Sequence, residues 1–201
     1  MFLSVFDIFK IGIGPSSSHT MGPMTAARRF VTEDIPALPS APRRISVTLH
    51  GSLAFTGRGH GTDRAVALGL LGYAPDLIDP DHVESALASL RHEKALSGPA
   101  RGVRFDPDCD ILFDTGPPLP GHVNGLIFRT HDAGGNILAA RTYYSIGGGF
   151  VLSERELGDN SLAATTPLSA VPHGFSTAGE MLRQGEISVL SIAAMQRANE
   201  H

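Results

Sequence analysis

The sequence predicts an α+β domain: a mixed β-sheet with helices packed mainly on one face. Two observations lead there. Over Ile45 to His50, the residues Ile45, Val47 and Leu49 alternate with polar ones, the two-residue period of a half-buried strand. His82 to Leu96 instead carries Val83, Ala86, Leu87, Leu90 and Ala95 close to the 3.6-residue period of a helix. Both patterns recur along one chain of 201 residues, a length that suits one domain, or one domain plus part of a second.

Taken in order, Ser4 to Phe9 reads as a short helix with Ser4 as N-cap. A loop from Gly12 to Pro23 follows, bracketed by Gly14-Pro15 and Gly22-Pro23, and then a helix from Met24 to Val31. Gly51 to Gly72 is expected to hold a helical turn, a tight loop at Gly57 to Gly61 and a helix from Asp63 to Leu71. Further strands are expected at Val103–Phe105, Ile111–Phe113, Leu126–Thr130 and Ile137–Tyr144, the last two as a hairpin. Gly147-Gly148-Gly149 breaks the chain after them. Residues 153–172 are polar and aperiodic, so they are expected to be a linker between a domain over 1–152 and a further piece over 173–201. That piece holds two helix candidates, Ser176–Arg183 and Ser188–Asn199. The amphipathic second one needs a partner surface, as if a second domain were cut short.

Composition narrows the function. Hydrophobic residues make up 42% and charged residues 18%, ordinary for a globular domain, and the formal net charge is −4. No basic footprint for nucleic acid or an anionic membrane is present, no apolar run is long enough to span a bilayer, and the N-terminus does not read as a signal peptide. The single cysteine, Cys109, excludes an internal disulfide framework, so a reducing cytoplasm is the expected setting. Cys109 itself falls between Asp108 and Asp110 in an expected strand and reads as structural. The nine histidines show no paired zinc spacing, and no phosphate-binding glycine loop, dinucleotide motif or nucleophile elbow is found. No metal ligands are expected in this chain.

Four constellations could carry chemistry. Gly14-Pro15-Ser16-Ser17-Ser18-His19-Thr20 gathers hydroxyl, imidazole and amide donors ahead of a helix, an arrangement suited to an anion or equally to a serine-rich cap. His50-Gly51-Ser52 ends a strand and leads to His60, flanked by Gly59 and Gly61, with Thr62 or Asp63 available to cap the next helix. Ligands commonly bind at such strand ends, although a turn and a cap explain the same residues. Pro120-Gly121-His122-Val123-Asn124-Gly125 could hydrogen-bond a substrate, or Asn124-Gly125 could simply be a turn. The glycines after Tyr143-Tyr144-Ser145-Ile146 could line a ligand site or act as a hinge.

Several of these motifs resemble those of iron–sulfur-dependent bacterial L-serine dehydratases. The resemblance is carried by Ser4-Val5-Phe6-Asp7-Ile8-Phe9-Lys10-Ile11-Gly12-Ile13, by Gly14-Pro15-Ser16-Ser17-Ser18-His19-Thr20-Met21-Gly22-Pro23, and by Leu49-His50-Gly51-Ser52-Leu53-Ala54 with Thr56-Gly57-Arg58-Gly59-His60-Gly61-Thr62-Asp63. Tyr143-Tyr144-Ser145-Ile146-Gly147-Gly148-Gly149-Phe150 adds another. The family's His-Pro-Asn-Gly stands here as His122-Val123-Asn124-Gly125, with valine in place of proline. The likeness runs over essentially the whole chain, with the motifs in the family's order.

The resemblance implies the N-terminal β domain of a single-chain enzyme that converts L-serine to pyruvate and ammonia. It implies a fold similar to the serine-binding regulatory domain of some 3-phosphoglycerate dehydrogenases. It implies a 4Fe–4S cluster acting as Lewis acid, held by cysteines of the enzyme's own C-terminal catalytic domain and absent from this piece, which alone would be inactive. By the same resemblance Ser16, Ser18, His19 and Thr20 hold the substrate's carboxylate or amino group, with Thr62 as a further substrate-binding residue. His122 and Asn124 stand as additional contacts. His60 is the expected base for the α-proton, since an imidazole titrates near working pH. A homodimer is expected, with no nucleic-acid or membrane partner. The competing readings are a stand-alone regulatory module that binds serine or a similar small anion, and a structural subunit whose polar loops are only turns and caps.

Overall fold

The computed structural model describes residues 4–5, 9–159 and 171–200. The chain divides into two compact units, one over Ile11–Asn160 and one made of Met1–Lys10 with Ser161–His201.

The larger unit is a five-stranded mixed sheet in the order β2-β1-β3-β4-β5. It contains β1 (Arg44–His50), β2 (Ile111–Asp114), β3 (Gly125–His131), β4 (Ile137–Gly147) and β5 (Phe150–Ser153). Only β1 and β2 run parallel; the other pairs are antiparallel. A parallel pair needs a long crossover, and here it carries helices α2 (Ser52–Thr56), α3 (Thr62–Leu70) and α4 (Val83–Glu93). Ahead of β1 lies α1 (Gly22–Arg29), which wider π turns extend at both ends, Ser17–Met21 and Phe30–Asp34. A short α5 (Glu154–Gly158) follows β5.

Alternation on the strands decides which face is covered. Ile45, Val47 and Leu49 of β1 and Leu126 and Phe128 of β3 are all fully buried. They form one core with Met24 and Ala27 of α1, Phe30 of the π turn after it, Leu68 of α3 and Leu87 and Leu90 of α4. Phe30 stacks on Phe128 with ring centroids 4.8 Å apart, and Tyr143 meets Phe128 edge-on at 5.9 Å. The partners of the other face include Thr48 with Arg129, and Ser46 with His131.

Helices α1 and α3 come so close that Gly69 cannot carry a side chain. A Cβ there would lie 2.2 Å from the Met24 carbonyl oxygen and 2.7 Å from the Ala27 Cβ. Gly69→Ala is therefore expected to force the helices apart and to cost about 1–3 kcal/mol, the usual range for overpacking. Thermal unfolding checks it; an unchanged midpoint would mean the helices are not in this contact.

The serine-rich segment expected as a loop is itself helical from Ser17, because the Ser16 carbonyl accepts the Thr20 and Met21 amides and the Ser16 hydroxyl accepts the His19 amide. Val103–Phe105, expected as a strand, makes only isolated bridges through Arg104 to Arg44 and Ala95. Cys109 is exposed on a turn, not in a strand, and that turn is tied by the Asp106 carbonyl to the amides of Cys109 and Asp110. The glycine triplet builds the turn between β4 and β5. Gly147 pairs with Phe150, and Gly148 and Gly149 both take positive φ (60° and 79°), the requirement of a tight two-residue hairpin turn. The aperiodic stretch expected from Ser153 begins instead with α5. Ser153 and Glu156 form a capping box, and the Arg29 guanidinium holds Glu156 from α1 at 3.0 and 3.2 Å. That pairing pulls the Glu156 carboxyl down to about 2. Of the expected linker, 160–170 lies outside the described residues.

In the smaller unit, Thr177 caps α6 (Ala178–Ser188) with a capping box, and Ser191 caps α7 (Ile192–Asn199). The break between them falls at Val189–Ser191, with Val189 left-handed at φ 57°, so the helix expected from Ser188 starts at Ile192. The expected Ser4–Phe9 helix lies partly outside the described residues; the Phe9 amide does donate to the Val5 carbonyl at 2.8 Å.

Candidate functional site

The expected site residues converge within the larger unit. The hub is His19, in the π turn ahead of α1. Its Nδ1 lies 2.8 Å from the Ser18 hydroxyl and its Nε2 lies 2.9 Å from the Ser52 hydroxyl at the start of α2. Both partners can donate or accept, so either neutral tautomer of His19 is accommodated. The His60 ring packs beside it, with centroids 4.9 Å apart.

Two threonines lash the His19 and His60 segments together. The Thr20 hydroxyl donates to the His60 carbonyl at 2.9 Å, and the Thr62 hydroxyl donates to the His19 carbonyl at 2.6 Å. Thr20 is 5% exposed and Thr62 fully buried. Their protons are spent on backbone carbonyls, which fixes the two histidine segments to each other, while each hydroxyl oxygen keeps lone pairs that can accept. Thr62 does not cap α3 either; that place falls to Gly61. Ser16 likewise caps the π turn, with its hydroxyl 3.4 Å from that of Ser18.

His60 is held in one tautomer. Its Nδ1 lies 2.9 Å from the Thr56 carbonyl oxygen, which can only accept, so the neutral ring carries its proton on Nδ1 and its lone pair on Nε2. His60 also lines a cavity of about 310 Å³ with Ile13, Gly14, Thr20, Arg64 and Glu84 among its walls. That volume is at the small end for ligand sites. Arg64 and Glu84 pair with each other at the surface.

The segment 122–124 joins from the start of β3, beside the end of β1. The Ser52 amide donates to the Val123 carbonyl at 2.9 Å, so the valine that replaces the family's proline still bonds to the His19 partner through its backbone. His122 Nδ1 accepts the Asn124 amide at 3.2 Å. Asn124 is 7% exposed; its Nδ2 donates to the Ser145 carbonyl at 3.1 Å while its Oδ1 is buried without a partner. A buried lone acceptor is an uncommon feature and suits a donor arriving from a ligand.

Ser52 and Ser145 were given no role by sequence reasoning, yet they tie the site together. Ser145 is fully buried; its hydroxyl donates to the Ser18 carbonyl at 2.7 Å and its amide to the Asn124 carbonyl at 3.0 Å. Both serines sit inside motifs visible in the sequence, but a lone hydroxyl carries no sign of its distant partner.

The model of the family described as serine dehydratase beta chain matches residues 4–156, most of the chain. The chain belongs to the serine dehydratase beta chain family. Among similar proteins, the L-serine dehydratase of Streptomyces coelicolor is 39% identical over all of this chain and 44% of its own length. That of Helicobacter pylori is 38% identical over 98% of the chain and 43% of its own length. That of Mycobacterium tuberculosis is 44% identical over 80% of the chain and 35% of its own length. The chain thus spans less than half the length of these relatives.

In this beta-chain site the surroundings of His19 disfavour its charged form. Burial, and next the neighbouring His60, push the His19 pKa below its usual 6.5, against a hydrogen bond at Ser52. His19 is therefore neutral at pH 7. As pH falls below 6.5 the unfolded chain takes up this proton first, so stability is lost from there down to the lowered folded value, and nothing is lost above it. Ring carbon NMR should show His19 titrating below 6.5; a midpoint at or above 6.5 would contradict the packing described.

The iron–sulfur cluster implied by the family does not fit the donors of this chain. Such clusters are held by several thiolates. The sequence has one cysteine, exposed on its turn, and among the described residues no group of three histidines, cysteines or carboxylates could hold a metal ion. Also among the described residues, no helix is long and apolar enough to cross a membrane.

Proposed function

We propose that this chain supplies the substrate-binding half of an L-serine dehydratase site, in which L-serine is converted to pyruvate and ammonia. The observation that carries the reading is the His19–His60 pair: two imidazoles 4.9 Å apart, each with a ring nitrogen held by a defined partner. Rigid anchoring of that kind is what general-base catalysis and substrate orientation require.

In this reading His60 Nε2 takes the α-proton of serine, because Thr56 keeps the Nδ1 proton in place. His19, neutral and gripped by Ser18 and Ser52, orients the substrate's polar groups with Ser16 nearby. His122, whose Nδ1 accepts the Asn124 amide, offers an Nε2 donor, and the unpaired Asn124 Oδ1 offers an acceptor matched to an ammonium donor. Loss of the α-proton and the β-hydroxyl gives water and aminoacrylate, which tautomerises and hydrolyses to pyruvate and ammonia. The electrophile for the hydroxyl would be the family's 4Fe–4S cluster, held by residues of a longer enzyme. The enzyme's own catalytic domain is the expected partner, in a cytoplasmic homodimer.

The test is a pyruvate assay on the enzyme that joins this chain to its cysteine-bearing remainder, after anaerobic cluster reconstitution. Pyruvate formation from L-serine is expected. An intact cluster with no turnover of L-serine would overturn the reading.

A further inference from the structure

Both feet of the loop 115–124 stand on the same three residues, 50–52. The loop leaves β2 at Asp114, whose register partner on β1 is His50. It returns at Val123, whose carbonyl accepts the Ser52 amide at 2.9 Å. Between these, Gly51 takes φ 55° and lies so close to the loop that a Cβ there would sit 2.2 Å from the Val123 oxygen and 3.1 Å from the Pro118 Cβ.

His50 is a buried imidazole that the chemistry above does not use. It is 7% exposed, and neither ring nitrogen has a hydrogen-bond partner. Its Nδ1 is 3.4 Å from Asp114 Oδ2, within reach for an ion pair but outside hydrogen-bond geometry. Asp114 is half exposed, and its other carboxylate oxygen accepts the Gly116 amide at 2.8 Å, in the first turn of the loop. The groups that face His50 are Asp114 from β2, Arg129 from β3 and Thr48 from β1; the Arg129 guanidinium donates to the Thr48 hydroxyl at 2.7 Å.

We propose that His50 and Asp114 are positioning residues for the loop that carries His122 and Asn124. Protonated His50 closes on the Asp114 carboxylate and draws the loop's near foot against the strand end that already holds its far foot. A charge-assisted hydrogen bond is shorter and stronger than the loose contact of the neutral ring, so the clamp tightens as pH falls. Burial sets the onset below 6.5, the usual histidine value, with Asp114 opposing that depression and Arg129 adding to it. The inference rests on the reading of His122 and Asn124 as site residues. Its test reads loop position, not turnover, so either can fail alone.

The experiment is NMR of the whole chain across the histidine range, from about pH 8 to pH 5. Amide signals of Gly116 and Ser52 should both carry a step at the His50 midpoint. The step should vanish in Asp114→Asn and in His50→Phe and return in Asp114→Glu, while the ring titration of His19 keeps its midpoint. A mere through-space effect of ring charge would survive Asp114→Asn. Persistence of the step in that variant, or its absence from the unmodified chain, overturns the proposal. If His50→Phe does not fold, the half-exposed Asp114 variants carry the test alone.

Discussion

His60→Ala in the cluster-loaded enzyme is expected to lower the catalytic rate by about 10²–10⁴-fold, the usual worth of a general base. The geometry makes this residue unlike the others in the site. Thr20 and Thr62 spend their hydroxyl protons on backbone carbonyls, and His19 is engaged at both nitrogens. His60 alone of these combines a tautomer fixed from behind by the Thr56 carbonyl with a place on the wall of a cavity. Removing the imidazole leaves that carbonyl to water near the surface, so the fold should be spared. The loss should fall on kcat, with cluster absorbance unchanged. His19→Ala should instead raise KM more than it lowers kcat, because it removes orientation. A fall of only a few-fold in the His60 variant would take the base role away from it.

Phe128→Ala should produce the largest loss of stability, about 3–5 kcal/mol for a fully buried aromatic. Phe128 is central in every direction: on the middle strand of the sheet, stacked on Phe30 just after α1 at 4.8 Å and met edge-on by Tyr143 at 5.9 Å. Aromatic pairs of this kind contribute about 0.5–1.5 kcal/mol beyond burial. Truncation opens a cavity where sheet and α1 meet, and the neighbours are held by other contacts that resist collapse. Tyr143 is anchored by its hydroxyl to Asp34 and lies under the Arg29 guanidinium. Burial, and then the Asp34 hydrogen bond, raise the Tyr143 pKa far above its usual 10, so its hydroxyl keeps the proton it donates. For a domain with about 5–15 kcal/mol of total stability, the variant should unfold at much lower denaturant. A midpoint near that of the parent would place Phe128 outside the core.

The strands were legible where one face is buried and the other polar. Ile45, Val47 and Leu49 announce β1 because a period of two survives only in a strand with one dry side. Val103–Phe105 has the same composition and fails, since Phe105 is buried by the core while Arg104 finds only isolated bridges. Composition reports burial, and a ladder needs a partner of matching length. β5 escaped notice because Phe150-Val151-Leu152 is too short for a period; its strand is imposed by the Gly148–Gly149 turn, which folds it back on β4. The site was legible as chemistry but not as wiring. Ser16, Ser18, His19, Thr20, His60, Thr62, His122 and Asn124 were all named from their motifs, and Ser18, His19 and His60 come together as expected. The work of Ser52, Ser145, Thr20 and Thr62 is long-range hydrogen bonding, across 33 residues for His19 with Ser52 and 127 for Ser145 with Ser18, and no local pattern encodes it.

The most direct test is titration of the chain with L-serine, following the ring signals of His19 and His60 by NMR. Both should move together along one binding curve, and the His122 ring should follow the same curve. Movement of neither ring, up to serine concentrations that saturate the assembled enzyme, would contradict a shared substrate site.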